Sequence, residues 1–166
     1  PLYAGSAITA VMAGDLLTLF ICWEISALSS TLIIWANRSH YSRSAGMRYL
    51  FIQVLSGLLL LLGTLLHFQD TQSLLFTAFA LDSLAHWLIF FAFGIKCAFP
   101  LLHNWLQDAY PHASASGTVA LSAFTTKLAV YCLARAFAGT EYLLWIGAVM
   151  TAFPIFFAVI ENDLRR

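Results

Sequence analysis

Polar positions break this chain at only a few places, and between them lie six apolar runs. The first, Leu2 to Ala13, ends at Gly14 and Asp15. The second extends from about Asp15 to Trp35 and gives way to the polar stretch NRSHYSRSAGMR. A third runs from about Tyr49 to His67, a fourth from about Ser83 to Leu106, a fifth from about Gly117 to Arg135, and a sixth from about Glu141 to Ile160. All but the first approach the roughly 20 apolar residues with which a helix crosses the hydrocarbon layer. The pattern predicts an all-α, polytopic transmembrane bundle forming a single region over residues 1–166. The first run is too short to span, and the chain opens on Pro1 with neither a basic segment nor a cleavage site before the apolar residues. The expectation is an internal piece of a longer membrane protein whose first helix is cut.

Composition sharpens this reading. The chain is 61% hydrophobic and 10% charged, with a mean hydropathy of +0.82, whereas soluble domains average about 25% charged residues. A water-soluble domain of this size needs more polar surface. The net charge of zero gives no electrostatic footprint for nucleic acid. Cys22, Cys97 and Cys132 all lie in apolar runs without paired spacing, and read as small packing residues. Arg38, Arg43, Arg48, Arg165 and Arg166 fall on one side when the spans alternate, with Arg135 near the other. Basic loops mark the cytoplasmic side, so the first side is expected to be the cytoplasmic or equivalent negative one.

The charges inside the apolar runs carry the candidate chemistry. Glu24, Lys96 and Lys127 each lie away from the ends of their runs, and the two lysines are the only ones in the chain. A lysine at the bilayer centre costs roughly 2.5–3.5 kcal/mol on insertion scales, and such a residue faces protein or water and usually serves a function. Pro100 follows Lys96 by four residues and has no N–H for the Lys96 carbonyl. Charge and helix break therefore coincide, as they do in ion pathways. Phe20, Ile21, Ala27 and Leu28 are the helical neighbours of Glu24, so its carboxylate has no local partner of opposite sign. A Glu and a Lys on facing helices stay ionised as a pair, and separating them drives both toward their neutral forms. That is the basis of a proton relay gated by ion-pair geometry; a static pair that only fixes packing is the alternative. The second lysine, with no carboxylate of its own, favours the relay.

His103 lies seven residues after Lys96, two turns along one face if the helix continues. It reads either as a proton carrier toward the cytoplasmic side or as a polar residue bonded near the helix end. His112, after Pro111, is expected to be exposed. Ser122, Thr125 and Thr126 flank Lys127 and could hold water or simply pack. His103, Asp108 and His112 have no metal-ligand spacing, and no GxSxG elbow supports a hydrolase. The GLLLLLGTLL run of the third span, without interior charge, reads as a plain wall helix.

Four stretches carry a resemblance: DLLTLFICWE, GIKCAFPLLHNWLQDAYPHAS, LSAFTTKLAVYCLAR and FAVIENDLRR. Together they resemble the antiporter-like subunits shared by Mrp-type cation/proton antiporters and the proton-pumping arm of respiratory complex I. FTTKLAVY and VIENDLRR are similar to the D-type member of the Mrp antiporter subunits. The resemblance implies that Glu24 corresponds to the family's helix-5 glutamate, Lys96 to the lysine of its broken helix 7, Lys127 to that of helix 8, and His103 to the first histidine of its HxWLPDAH pattern. Here that pattern has Gln107 in place of proline and Tyr110 in place of the second histidine. The residues would span about helix 4 to helix 9 of a roughly fourteen-helix subunit, part of an inverted-repeat fold.

The expected function is proton/cation translocation across a bacterial inner membrane, within a multi-subunit Mrp-type antiporter, by a Glu24–Lys96 gating pair with Lys127 and His103 as onward carriers. Its expected partners are the other membrane subunits, and its cargo protons and sodium ions. No cofactor is expected, since no haem, iron–sulfur or nucleotide motif is present. The alternatives are a proton-pumping subunit of a complex I-like NADH dehydrogenase or membrane-bound hydrogenase, and a non-transporting scaffold.

Overall fold

A computed structural model describes residues 1–160, with the side chains of Phe157 and Ala158 left aside. Arg165, Arg166 and most of the FAVIENDLRR stretch lie outside the described residues. Helices form wherever the apolar runs lie: α1 (Leu2–Met12), α2 (Leu16–Trp35), α3 (His40–Thr71), α4 (Leu84–Cys97), α5 (Asn104–Ala109), α6 (Ala115–Ala136) and α7 (Glu141–Ile160). α2, α3 and α6 are long and apolar enough to cross a membrane, and the chain is an integral membrane protein.

The helix starts follow from side-chain chemistry. Asp15 accepts a hydrogen bond from the Thr18 N–H at 2.7 Å, Ser39 from Ser42, Ser83 from His86, and Ser114 from Gly117. Each cap satisfies one of the orphan donors of a first turn. α3 begins at His40, inside the polar stretch expected as a loop, because the Ser39 cap and the helix-compatible SRSAGMR residues extend it over the basic end.

The Thr18 backbone N–H and then its hydroxyl hold the Asp15 carboxyl below the ordinary carboxylate range. A lowered carboxylate contributes stability above its unfolded value, near 3.9, and that contribution is lost as pH falls through the lower folded value. Asp15→Ala is expected to cost about 1 kcal/mol. Thermal unfolding of the purified protein as a function of pH checks this: the difference between the wild type and the variant should close as Asp15 protonates.

α3 packs against both α2 and α4, α1 against α2 and α6, and α4 against α6. Two apolar cores result. The larger joins Leu19, Trp23, Leu60, Phe90, Phe93, Cys132 and Phe137, with Leu143, Ile146 and Met150 of α7 on its edge. The smaller joins Tyr3, Ile34, Tyr49, Trp105, Tyr110 and Leu121. Cys22, Cys97 and Cys132 are buried free thiols within the first.

The two ends of the bundle differ. At one, Arg48 grips Asp108 through two hydrogen bonds of 2.6 and 2.8 Å, and the Asn37 amide donates to the His112 carbonyl. The His112 ring stacks on Tyr41 and is half-buried, not exposed as expected from Pro111, because α3 reaches far enough to cover it. At the other end, Arg135 donates to the carbonyls of Ala13 and Phe76 and lies over the Phe76 ring. The segment between α3 and α4 is thus clamped to the start of α2, where it also forms an isolated antiparallel bridge between Asp15 and Leu75.

Candidate ion-translocation site

The fourth apolar run does not continue as one helix. α4 stops at Cys97, Ala98 takes a left-handed conformation (φ 63°), and the Phe99 N–H returns to the Gly94 carbonyl at 3.0 Å. A Cβ at Gly94 would meet the Phe99 ring at 2.5 Å, so the turn closes only over glycine. The Trp105 indole N–H donates to the Ile95 carbonyl at 3.0 Å, which also accepts the Ala98 N–H, and so ties α5 to the last turn of α4. Pro100 follows as a residue that cannot rejoin the helix.

The last turn of α4 holds Lys96, which is 1% exposed. The negative end of a helix favours a cation. Its Nζ donates to the Ser26 hydroxyl at 2.9 Å and to the Trp23 carbonyl at 3.1 Å, and lies 4.0 Å from the centre of the Trp23 ring. These acceptors belong to the middle of α2. No described carboxylate forms a direct ion pair with Lys96; the salt bridges among the described residues are Arg48–Asp108 and Asp82–His86.

Glu24 stands within electrostatic reach of Lys96 but turns toward α3. A Cβ at Gly57 would collide with its Oε1, so the missing side chain is what seats the carboxylate. That Oε1 is buried and forms no hydrogen bond to a described residue. Glu24 and Lys96 are therefore neighbours without contact.

Lys127 is not brought to this pair. It lies on the exposed side of α6, opposite the buried Leu121, Thr125, Leu128 and Cys132. It is within electrostatic reach of Cys97, the residue after Lys96. His103 corrects the expectation of a shared helix face. The break intervenes, so His103 is the N-cap residue of α5 rather than a position two turns along the Lys96 helix. It is half-buried, with its ring 5.1 Å from that of Phe153 on α7.

Several polar residues joined to the site do not stand out in the sequence. The Ser56 hydroxyl accepts from the Trp23 indole N–H at 3.1 Å and donates to the Ala92 carbonyl at 2.8 Å, tying α2, α3 and α4 together beside Lys96. Tyr49 donates to Ser30 at 2.9 Å. Thr125 is hydrogen-bonded to Tyr3 at 2.5 Å and lies within interaction range of Tyr49 and Tyr110. Three tyrosines from α1, α3 and the end of α5 thus converge on one threonine of α6. Gln53 is fully buried in the helix expected as a plain wall. The usable signal is the spacing of three or four residues on α3, which sets Tyr49, Gln53, Ser56 and Gly57 on one face. Among the described residues no cluster could hold a metal ion.

Comparison with known proteins places the chain. The family described as NADH:quinone oxidoreductase/Mrp antiporter, transmembrane, matches residues 13–166. Hydrogenase-4 component B of Escherichia coli K12 is 26% identical over 99% of the chain, which covers 27% of that protein. NADH-quinone oxidoreductase subunit N of Desulforudis audaxviator is 32% identical over 92% of the chain, covering 34% of that protein. The chain thus spans about a third or less of these relatives. Among solved structures, a chain of the Mrp complex from Dietzia sp. superposes with a TM-score of 0.77 at 28% identity, over 89% of this chain and 30% of that one. A chain of respiratory complex I from Thermus thermophilus superposes with a TM-score of 0.84 at 23% identity, over 99% and 39% respectively, and speaks for the fold alone. The chain belongs to the NADH:quinone oxidoreductase/Mrp antiporter transmembrane family.

Proposed function

We propose that the chain forms part of a subunit that moves protons across a membrane within a multi-subunit complex, of the Mrp cation/proton antiporter type in a bacterial inner membrane. The observation that carries this is the Lys96 ammonium, buried at a helix break and held by a hydroxyl, a carbonyl and a ring face, with Glu24 near but out of contact. A direct carboxylate contact would fix the proton. Neutral acceptors hold it less firmly, and the position of Glu24 then sets how readily it leaves. Small movement of α2 against α4 would thus gate the transfer, and Lys127 would receive the proton beyond Cys97. Other membrane subunits are the proposed partners, and sodium ions the proposed exchanged cation.

A proton-pumping subunit of an oxidoreductase is the second reading, favoured by the likeness to the Escherichia coli hydrogenase component and the Desulforudis oxidoreductase subunit. Co-purification separates the two: small antiporter subunits in one case, iron–sulfur redox proteins in the other. The test of translocation is proton movement by the assembled complex in vesicles. Lys96→Ala and Lys127→Ala should each abolish it at normal assembly. Transport that survives both, with assembly lost on truncation, would leave a scaffold.

A further inference from the structure

We infer that Gln53 is a hydration residue of the translocation route: its amide holds water between Lys96 and Tyr49 and so carries protons from α4 toward Thr125 on α6. The inference rests on the translocation reading above and adds a route to it.

The level of Gln53 in the bundle follows from the contacts around it. On α2, Tyr49 meets Ser30, Ser56 meets Trp23, and Gly57 faces Glu24. Gln53 lies four residues from both Tyr49 and Gly57 and three from Ser56, on the same face of α3. The antiparallel register therefore sets it level with Ser26, the hydroxyl that receives the Lys96 ammonium. On α4, Ser56 meets Ala92 and Gly63 faces Ala85 and Ile89, which sets Gln53 level with Lys96 itself. It thus stands at the junction of α2, α3 and α4.

Gln53 is 0% exposed, and neither Oε1 nor Nε2 has a hydrogen-bond partner among the described residues. An amide buried without partners is costly, and buried polar groups in such places are satisfied by ordered water. Glu24 Oε1, one turn farther along this face, is in the same condition. Two orphaned polar groups from facing helices beside a buried ammonium supply the two to four partners that an internal water requires. A glutamine does not titrate, so its part is to orient water by donating and accepting. In the transfer, Lys96 gives one proton to that water, and the water passes one of its own to the Tyr49 phenol oxygen. The phenol turns its proton from Ser30 to the Thr125 hydroxyl, which releases its own, while Glu24 takes up one entering proton and returns it through the water to Lys96, ending ionised as it began. Water and phenol end with the proton count they began with.

The test uses the full-length subunit in its assembled complex, reconstituted in vesicles, with a pH-sensitive dye as the readout. Gln53→Met, matched in length, should lower proton movement by about tenfold or more at normal subunit stoichiometry. Gln53→Asn keeps the amide and leaves room for water, and should retain most of the rate. A packing role ranks these two the other way, since methionine fills the site and asparagine leaves a gap. Tyr49→Phe, which removes only a hydroxyl, should also lower the rate by about tenfold and decides the matter if Gln53→Met fails to assemble. Undiminished transport in Tyr49→Phe, or methionine outperforming asparagine, overturns the inference. If Lys96→Ala also leaves transport intact, the translocation reading itself has failed; if Lys96→Ala abolishes it, only the Gln53 route has.

Discussion

Lys96→Met is expected to abolish proton movement while leaving the assembled complex at least as stable as the wild type. The two effects part because they have different physical origins. The ammonium is held by Ser26 and the Trp23 carbonyl, and both retain other bonds: the Ser26 hydroxyl donates to the Trp23 carbonyl at 2.9 Å. Removing the charge therefore strands no acceptor, and methionine fills nearly the same volume against Trp23. An ammonium at the bilayer centre costs about 2.5–3.5 kcal/mol on insertion scales, and Glu24 makes no direct ion pair whose loss would strand it, the salt bridges among the described residues being Arg48–Asp108 and Asp82–His86. Methionine carries no proton, so transport should fall by about a hundredfold or more. Parallel measurements of vesicle transport and thermal unfolding check the pair. A large loss of stability would mean that the Lys96 charge chiefly holds α4 against α2. Retained transport would remove Lys96 from the route.

The second large effect comes from a residue with no chemistry of its own. Gly57→Val places side-chain atoms where Glu24 Oε1 lies. Either α2 and α3 move apart or the carboxylate turns away. Overpacking of this kind costs about 1–3 kcal/mol, and displacement of Glu24 from the reach of Lys96 should lower transport by about tenfold or more. A double-mutant cycle assigns the cause, since Glu24→Ala removes the atoms in conflict. Stability lost in Gly57→Val should return in the Glu24→Ala background, and non-additivity of this size is expected only for residues in contact. Additive losses would mean that the valine acts on α3 packing, not on the carboxylate.

Much of this molecule is legible without its fold. Lys96 and Lys127 stand out because an ammonium in hydrocarbon is costly wherever it occurs. Pro100 marks the break because a missing N–H needs no tertiary context. The Ser and Asp residues that open α2, α3, α4 and α6 cap by local geometry. Gln53, by contrast, is hidden in a run whose apolar residues suggest only a wall of the bundle. Placing His103 on the Lys96 face requires a helix that continues through Ala98, whose left-handed turn redirects everything after it.

Membrane embedding, the positions of the helices and the side chains costly enough to imply ion chemistry are all written in the amino acids. Each follows from the penalty on charge and on unpaired backbone in an apolar medium, which every residue meets alone. Which faces meet is a matter of packing and needed the three-dimensional arrangement. In a membrane both the lipid side and the protein side of a helix are apolar, so periodicity does not mark the buried face. Packing thus set Lys96 inward on Ser26, seated Glu24 over Gly57 and left Lys127 on the exposed side of α6. It also buried Gln53 where three helices join, and drew tyrosines from distant parts of the chain toward Thr125.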